Sequence, residues 1–196
     1  VKPFYYFLSG GAGVGKSRTI TAIVQSLMRY ENRKRTENPD DICVVVSAPT
    51  GKAAFNVFGM TNHGVFKLPP NQYNEKLKPL NDSDVNTLRC KLRNVKCFII
   101  DEISMVSVRQ LYEINERLQQ IYCTKEDFGG KSVIAVGHLR QLPPVRGSYV
   151  FEVPSHIATG TLLGNLLWEK FQLYELTEIM RQRGAFEFCK ALNNMA

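Results

Sequence analysis

Nine residues near the start of the chain constrain its fold more than anything else in it. Ser9-Gly10-Gly11-Ala12-Gly13-Val14-Gly15-Lys16-Ser17 follows the apolar, aromatic-rich run Phe4–Leu8 and opens the stretch Lys16–Tyr30. In that stretch Ile20, Ile23, Val24, Leu27 and Met28 recur at helical spacing. A strand that turns through glycines straight into a helix suits an anion. The glycines allow a tight turn that aims backbone N–H groups at phosphate oxygens, and the helix N-terminus adds partial positive charge. Gly11, Ala12, Gly13, Val14 and Gly15 form the cradle. Lys16 can reach the outer phosphates of a nucleotide, and the Ser17 hydroxyl can sit on Mg²⁺. The competing reading, a glycine-rich turn with a chance lysine, gives no reason for the strand before it and the helix after it.

The rest of the chain alternates strand and helix. Strand-sized apolar runs lie at Ile42–Ser47, Cys97–Ile100, Ser132–Val136 and Phe171–Leu176. Helical patterns lie at Lys52–Phe58, Asp84–Arg93, Val108–Ile121 (with Ser107 as cap), Leu162–Trp168 and from Gly184 toward Asn193. Glu31–Asp41, ending in Asn38-Pro39-Asp40, reads as a loop, and Leu68–Asn81 as irregular. The continuous β-branched strands are those of a sheet buried on both faces. Alternation of this kind predicts an α/β fold, a mostly parallel central sheet with helices on both faces, in which ligands bind at the carboxyl ends of the strands. With 196 residues and 44% hydrophobic residues, one domain with a full core is expected.

Composition narrows the classes. No apolar run approaches a membrane span, and the start Phe4–Leu8 runs directly into the glycine loop, unlike a signal peptide. The chain does not begin with Met, which suggests a fragment or a processed chain. A net charge of +7 favours a polyanionic partner, although basic surfaces also serve solubility. Arg33-Lys34-Arg35 reads as a solvated loop cluster. Five cysteines without C-x-x-C spacing, two of them (Cys43 and Cys97) inside apolar strands, argue for core thiols in a reducing compartment. His63, His138 and His156 form no metal box.

The second chemical signal is Asp101-Glu102 at the end of the apolar strand Cys97–Ile100. Beside a phosphate loop, the first carboxylate holds magnesium and the second accepts a proton from attacking water. The pair points to hydrolysis rather than binding alone. Without an N-K-x-D guanine motif, ATP is the expected nucleotide. Gln141, at a strand end, carries an amide able to sense a terminal phosphate or orient water, or else caps a loop stiffened by Pro143-Pro144. Thr50, where a strand gives way to a helix, can hold a nucleic-acid phosphate with its hydroxyl and the neighbouring N–H groups. Lys52 adds electrostatic help. His63 either stacks on an exposed nucleotide or is structural.

Taken in order, these motifs resemble the superfamily-one helicases of the Pif (petite integration frequency) and RecD group, which includes the helicase domains of Helitron transposons. Gly10–Ser17 is similar to the family's Walker A motif, Ser47-Ala48-Pro49-Thr50-Gly51-Lys52-Ala53-Ala54 to its DNA-contact motif Ia, and Thr61-Asn62-His63 to its Thr-x-His motif Ib. Ile99–Val106 resembles the Walker B form, Gly137–Val145 the Gly-Asp-Phe-x-Gln-Leu-Pro-Pro-Val motif, and Leu176–Gln182 motif IV. The resemblance implies a RecA-like three-layer P-loop fold and an ATP- and Mg²⁺-dependent motor. It implies movement on single-stranded DNA from 5′ to 3′ and duplex unwinding in DNA repair, recombination, telomere maintenance or transposition. It assigns Lys16, Glu102, Gln141 and Arg181 to catalysis, with Arg181 on the terminal phosphate where the bare sequence also allows a surface salt bridge. Ser17 and Asp101 fall to the metal, and Pro49, Thr50, Lys52 and His63 to DNA. Residues 1–196 correspond to the first RecA-like domain, with a second expected after residue 196. An intracellular protein, nuclear or mitochondrial in a eukaryote, follows.

Two residues depart from the family pattern. His138 stands where the family has Asp, which raises the alternative of a catalytically weakened module that binds nucleotide and single-stranded DNA. Gly64 replaces the Ser usual after the motif Ib histidine, removing one hydrogen bond to DNA. A small-molecule kinase, the third reading, finds no lid or acceptor motif in the chain.

Overall fold

The computed structural model describes residues 2–34, 41–69, 77–153 and 167–178. Its centre is a six-stranded sheet in the order β3-β2-β4-β5-β1-β6, and every recorded pairing is parallel. The strands are β1 (Tyr5–Gly10), β2 (Val44–Ala48), β3 (Met60–Thr61), β4 (Cys97–Ile100), β5 (Ser132–Gly137) and β6 (Gln172–Leu176). The helices are α1 (Lys16–Lys34), α2 (Gly51–Asn56), α3 (Asn62–Phe66), α4 (Asp82–Leu92) and α5 (Val108–Tyr122).

Successive side chains of the central strands feed two cores on opposite faces, as a period of two requires. Phe98, Ile100, Val133 and Ala135 point to one side, where Val65 and Phe66 of α3, Leu88 and Leu92 of α4, and Leu111, Ile114, Leu118 and Ile121 of α5 cover them. Cys97, Ile99, Ile134 and Val136 point to the other, where Ile20, Ile23, Val24 and Leu27 of α1 pack. This is the expected three-layer arrangement. In α5 the buried positions Val108, Leu111, Ile114, Leu118 and Ile121 repeat every three or four residues, and Ser107 caps the helix by accepting from the Gln110 amide at 3.1 Å. Each such apolar burial stabilises the fold by about 1.5–3 kcal/mol.

Several boundaries differ from the sequence reading. Helix α1 runs on to Lys34, so Arg33 and Lys34 end a helix instead of lying in a loop. Glu31–Lys34 contains no helix breaker, and polar residues are tolerated on the solvent face of a helix. The helix read as Lys52–Phe58 stops at Asn56, and Phe58 adopts a left-handed φ of 52°. It is followed by β3 and α3, which the sequence reading passed over. Two strand residues carry too little periodicity to register, and what holds β3 is a long-range contact: Ser47 pairs with Met60 and Ala48 with Thr61. Gly59 makes that pairing possible, because a Cβ there would sit 2.5 Å from the Val46 carbonyl oxygen. The helix read at Asp84–Arg93 begins earlier, at Asp82, under an Asn81 cap bonded to the Asp84 amide at 2.8 Å. Of the stretch read as helix at 162–168, the part described shows Trp168–Lys170 as a 3-10 turn. The remainder, the helix after Gly184 and residues 70–76 lie outside the described residues.

The guanidinium of Arg117, in α5, is buried. It donates to the carbonyls of Phe66 (3.1 Å) and Lys78 (3.3 Å) and to Gln120 Oε1 (2.7 Å). Gln120 in turn bonds both the N–H and the carbonyl of Leu80. One buried cation thus holds both ends of the excursion between α3 and α4. No helix among the described residues is long and apolar enough to cross a membrane.

Candidate functional site

Because all strands run the same way, their carboxyl ends share one edge of the sheet, and the motifs sit there. β1 leads into Gly11–Gly15, β2 into Pro49-Thr50, β3 into Asn62-His63, β4 into Asp101-Glu102 and β5 into His138. The order β4-β5-β1 sets the acidic pair two strands from the glycine loop, with His138 between them.

Gly13 (φ 80°) and Gly15 (φ 87°) hold left-handed conformations that other residues adopt only with strain. Gly10 has no room for a side chain, since a Cβ would meet Val14 Cγ2 at 2.6 Å. Val14 is buried beneath the loop and props it. Lys16 Nζ donates to the carbonyls of Gly10 (2.8 Å) and Gly11 (3.0 Å), so the ammonium lies across the loop at the mouth of α1. Ser17 is exposed at the first turn of a helix with no acidic residue there to compete for an anion. A cavity of about 660 Å³ opens beside the loop, lined by Val14, Gly15, Arg18, Thr19 and residues 175–178.

Asp101 is only 5% exposed, and its amide donates to the Ser47 carbonyl at 2.8 Å. Burial pushes its carboxyl up to about 6. The Glu102 amide and the Lys16 charge pull the other way, and the Glu102 charge adds to the rise. Glu102 takes a left-handed backbone (φ 50°, ψ 49°), a strained conformation of the kind found at working sites. It lines a second cavity of about 640 Å³ together with Thr50, Lys52, Ala53, Asn56, Met105, Arg140, Gln141, Leu142 and Pro143. The tertiary structure therefore brings Glu102, Gln141 and two of the nucleic-acid candidates, Thr50 and Lys52, into one cleft.

The Thr50 hydroxyl caps α2 by accepting from the Ala53 amide at 3.2 Å, which leaves its own hydrogen to donate. Pro49 is half-buried in the turn before it. His63 is half-buried in α3 and lines neither cavity; its segment is set by Thr61, whose hydroxyl accepts from the Gly64 amide at 3.1 Å. The backbone N–H of Gln141 donates to the His138 carbonyl at 2.9 Å, closing the turn that presents its side chain. Arg181 lies outside the described residues. Arg140 and Met105, which the sequence reading placed in motifs without giving them a site role, join the cleft. The available signal for Arg140 was a cation directly before Gln141 in a turn stiffened by two prolines.

A family model described as PIF1-like helicase matches residues 2–194. The chain belongs to the PIF1-like helicase family. The ATP-dependent DNA helicase PIF1 of Candida albicans is 32% identical over 204 residues, covering 96% of this chain and 20% of the relative. Pif1 of Campylobacter jejuni is 34% identical over 148 residues, covering 71% and 29%. Among solved structures, Pif1 from Candida albicans aligns with a TM-score of 0.73 at 30% identity, and Bacteroides Pif1 bound to ssDNA with 0.70 at 29%. Each alignment covers 98% of this chain, but 40% and 42% of those chains. This PIF1-like chain thus spans less than half the length of the relatives it matches, and its sheet is their RecA-like fold.

Within this PIF1-like site His138 is the departure. Its Nδ1 is buried with no hydrogen-bond partner among the described residues. Burial first, then the Lys16 and Arg140 charges, lowers its pKa against a smaller opposing pull from Glu175. The shift favours the uncharged imidazole, at the position where the sequence resemblance implies a carboxylate.

The residues present suit a magnesium nucleotide. Gly10 leaves no room for a side chain at the entrance to the loop, Gly13 and Gly15 hold positive φ within it, Lys16 stands at its mouth, and the buried Asp101 carboxylate lies within electrostatic reach of that lysine.

Proposed function

We propose that this chain is the first RecA-like, ATP-binding motor domain of a DNA helicase that couples ATP hydrolysis to movement on single-stranded DNA, 5′ to 3′, and to duplex unwinding. The observation that carries the reading is the shared cleft: Glu102 and Gln141 line the same cavity as Thr50 and Lys52. A single rearrangement there alters both the hydrolytic groups and the groups suited to a DNA phosphate, which a motor requires.

In this reading the amides of Gly11–Gly15 bind the phosphates and Lys16 turns from the loop carbonyls to the outer ones. Ser17 and Asp101 hold Mg²⁺, which when bound neutralises phosphate charge. Glu102 takes the proton from the attacking water. Gln141 orients that water, and Arg181 steadies the terminal phosphate. Thr50 donates its free hydroxyl hydrogen to a DNA phosphate beside Pro49, Lys52 adds positive charge, and His63 contacts a nucleotide farther along the sheet edge. A second motor domain in the parent protein supplies the opposing wall, so the isolated chain binds nucleotide weakly and unwinds nothing. The parent works inside the cell, in the nucleus or mitochondrion of a eukaryote, in DNA repair, recombination, telomere maintenance or transposition.

The test is Glu102→Gln in the full-length parent. Nucleotide binding stays within about twofold while single-strand-stimulated hydrolysis falls by about 10²–10⁴-fold, the range for losing a general base. Persistent hydrolysis would remove Glu102 from its role and the reading with it. The uncharged imidazole favoured at His138 supports a second reading, a module that binds nucleotide and DNA but turns over slowly. His138→Asp in the same parent, followed by single-turnover ATPase with and without single-stranded DNA, separates the two. A rise supports the weakened module, and an unchanged rate dismisses it.

A further inference from the structure

On the α5 side of the sheet, four buried polar atoms have no hydrogen-bond partner among the described residues: Ser47 Oγ, Asn62 Oδ1, Asn62 Nδ2 and Ser104 Oγ. The three residues are at most 1% exposed. They come from the ends of three neighbouring strands. Ser47 lies in β2 and pairs with Ile100 of β4 and Met60 of β3. Asn62 directly follows β3, and Ser104 stands in the turn two residues after Glu102. Strand order sets β3, β2 and β4 side by side. Ser47 shares its face with Val45, which packs on the core cluster holding Val65, Ile100 and Ile103; Asn62 lies one helical turn before Val65, and Ser104 directly follows Ile103.

A fully buried asparagine with both ends unpaired is expensive, and native interiors rarely keep one. A leucine would fill such a site without that penalty. Two hydroxyls that each donate and accept, with an amide that does both, are instead the lining that buried water takes, typically through about three hydrogen bonds per molecule. We propose that Ser47, Asn62 and Ser104 enclose ordered water that ties the start of α3, and so His63, to the turn carrying Glu102. Asn62 is then a positioning residue through which nucleic acid on the α3 side sets the catalytic turn. The water site stands on the buried groups alone, whereas its effect on turnover rests on the motor reading.

Two measurements test this. A crystal structure of the chain, at a resolution that shows ordered solvent, should place at least one water on the Asn62 amide and on the Ser47 or Ser104 hydroxyl. An Asn62 amide bonded directly to protein groups, or a solvent-free space beside it, overturns the proposal. In the full-length parent, Asn62→Leu should lower the DNA-stimulated kcat about tenfold while single-strand affinity by fluorescence anisotropy stays within about twofold. Asn62→Ser, which keeps a polar lining, should retain most of the stimulation. Full stimulation in the leucine variant, or equal losses in both variants, overturns the positioning role. Should the leucine variant not fold, Ser104→Ala takes its place with the same expected split. A wild-type parent without DNA stimulation would sink the motor reading and the coupling role with it, while the crystal structure would still decide the water site.

Discussion

Replacing Asp101 by Asn should make the ligand-free chain more stable while removing a residue on which the proposed chemistry depends. Asp101 is buried at the end of β4, and burial raises its carboxyl from an ordinary 3.8 to about 6. A carboxyl whose folded value lies above its unfolded value binds its proton more tightly in the folded chain. Ionisation therefore penalises the fold. The penalty is absent below pH 3.8, grows between 3.8 and about 6, and is complete above that. At roughly 1.4 kcal/mol for each pH unit across that interval, the charge destabilises the ligand-free chain by about 3 kcal/mol at pH 7.5. Asn keeps the acceptor for the Glu102 amide and carries no charge. In EDTA at pH 7.5 the variant should melt about 6–12 °C higher than wild type, the conversion for a domain of this size. The advantage should fade as pH falls from 6 to 4. Magnesium and nucleotide should then raise the melting temperature of wild type but not of the variant. An Asn variant no more stable than wild type at pH 7.5, or an advantage that persists unchanged at pH 4, would refute the claim that burial of this carboxylate strains the fold.

Gly59→Ala should destabilise the chain by about 1–3 kcal/mol, because the added carbon meets the Val46 backbone instead of a movable side chain; urea denaturation measures it, and an unchanged midpoint would deny the close approach of β3 to β2. Arg117→Met should lower stability by about 3 kcal/mol, since the carbonyls of Phe66 and Lys78 lose a buried donor; hydrogen exchange should show the loss concentrated around residues 63–68 and 77–81. Thr50→Ala should cost about 1 kcal/mol through the lost cap on α2 and weaken single-strand binding as well; a melting curve paired with an anisotropy titration reads both. Among the four described cysteines, Cys90 and Cys123 are exposed while Cys43 and Cys97 are buried, and burial pushes the Cys97 thiol up to about 12. Peptide mapping after a short alkylation should find the first two labelled and the other two protected.

Local chemistry alone determined much of this protein. The glycine loop, the acidic pair and the apolar runs of β4 and β5 were legible because each depends on neighbouring residues: a strand that fills both faces must be β-branched or aromatic, and a loop that grips phosphate must be glycine-rich. The boundaries of α5 and its Ser107 cap were readable for the same reason. What the chain order could not show is whatever joins distant segments. Strand β3 exists because Gly59 lets two residues lie against β2, and Arg117 holds backbone carbonyls 39 to 51 positions away. Glu102 shares a cleft with Thr50, 52 positions before it, and Arg140, 38 positions after it. The raised Asp101 carboxyl and the lowered His138 imidazole likewise follow from burial, and both feel the charge of Lys16 at the start of α1, far from both in the chain. Residue type and spacing determine which groups can do the chemistry. Only the parallel sheet, by bringing every strand end to one edge, decides which of them meet and in what state of charge.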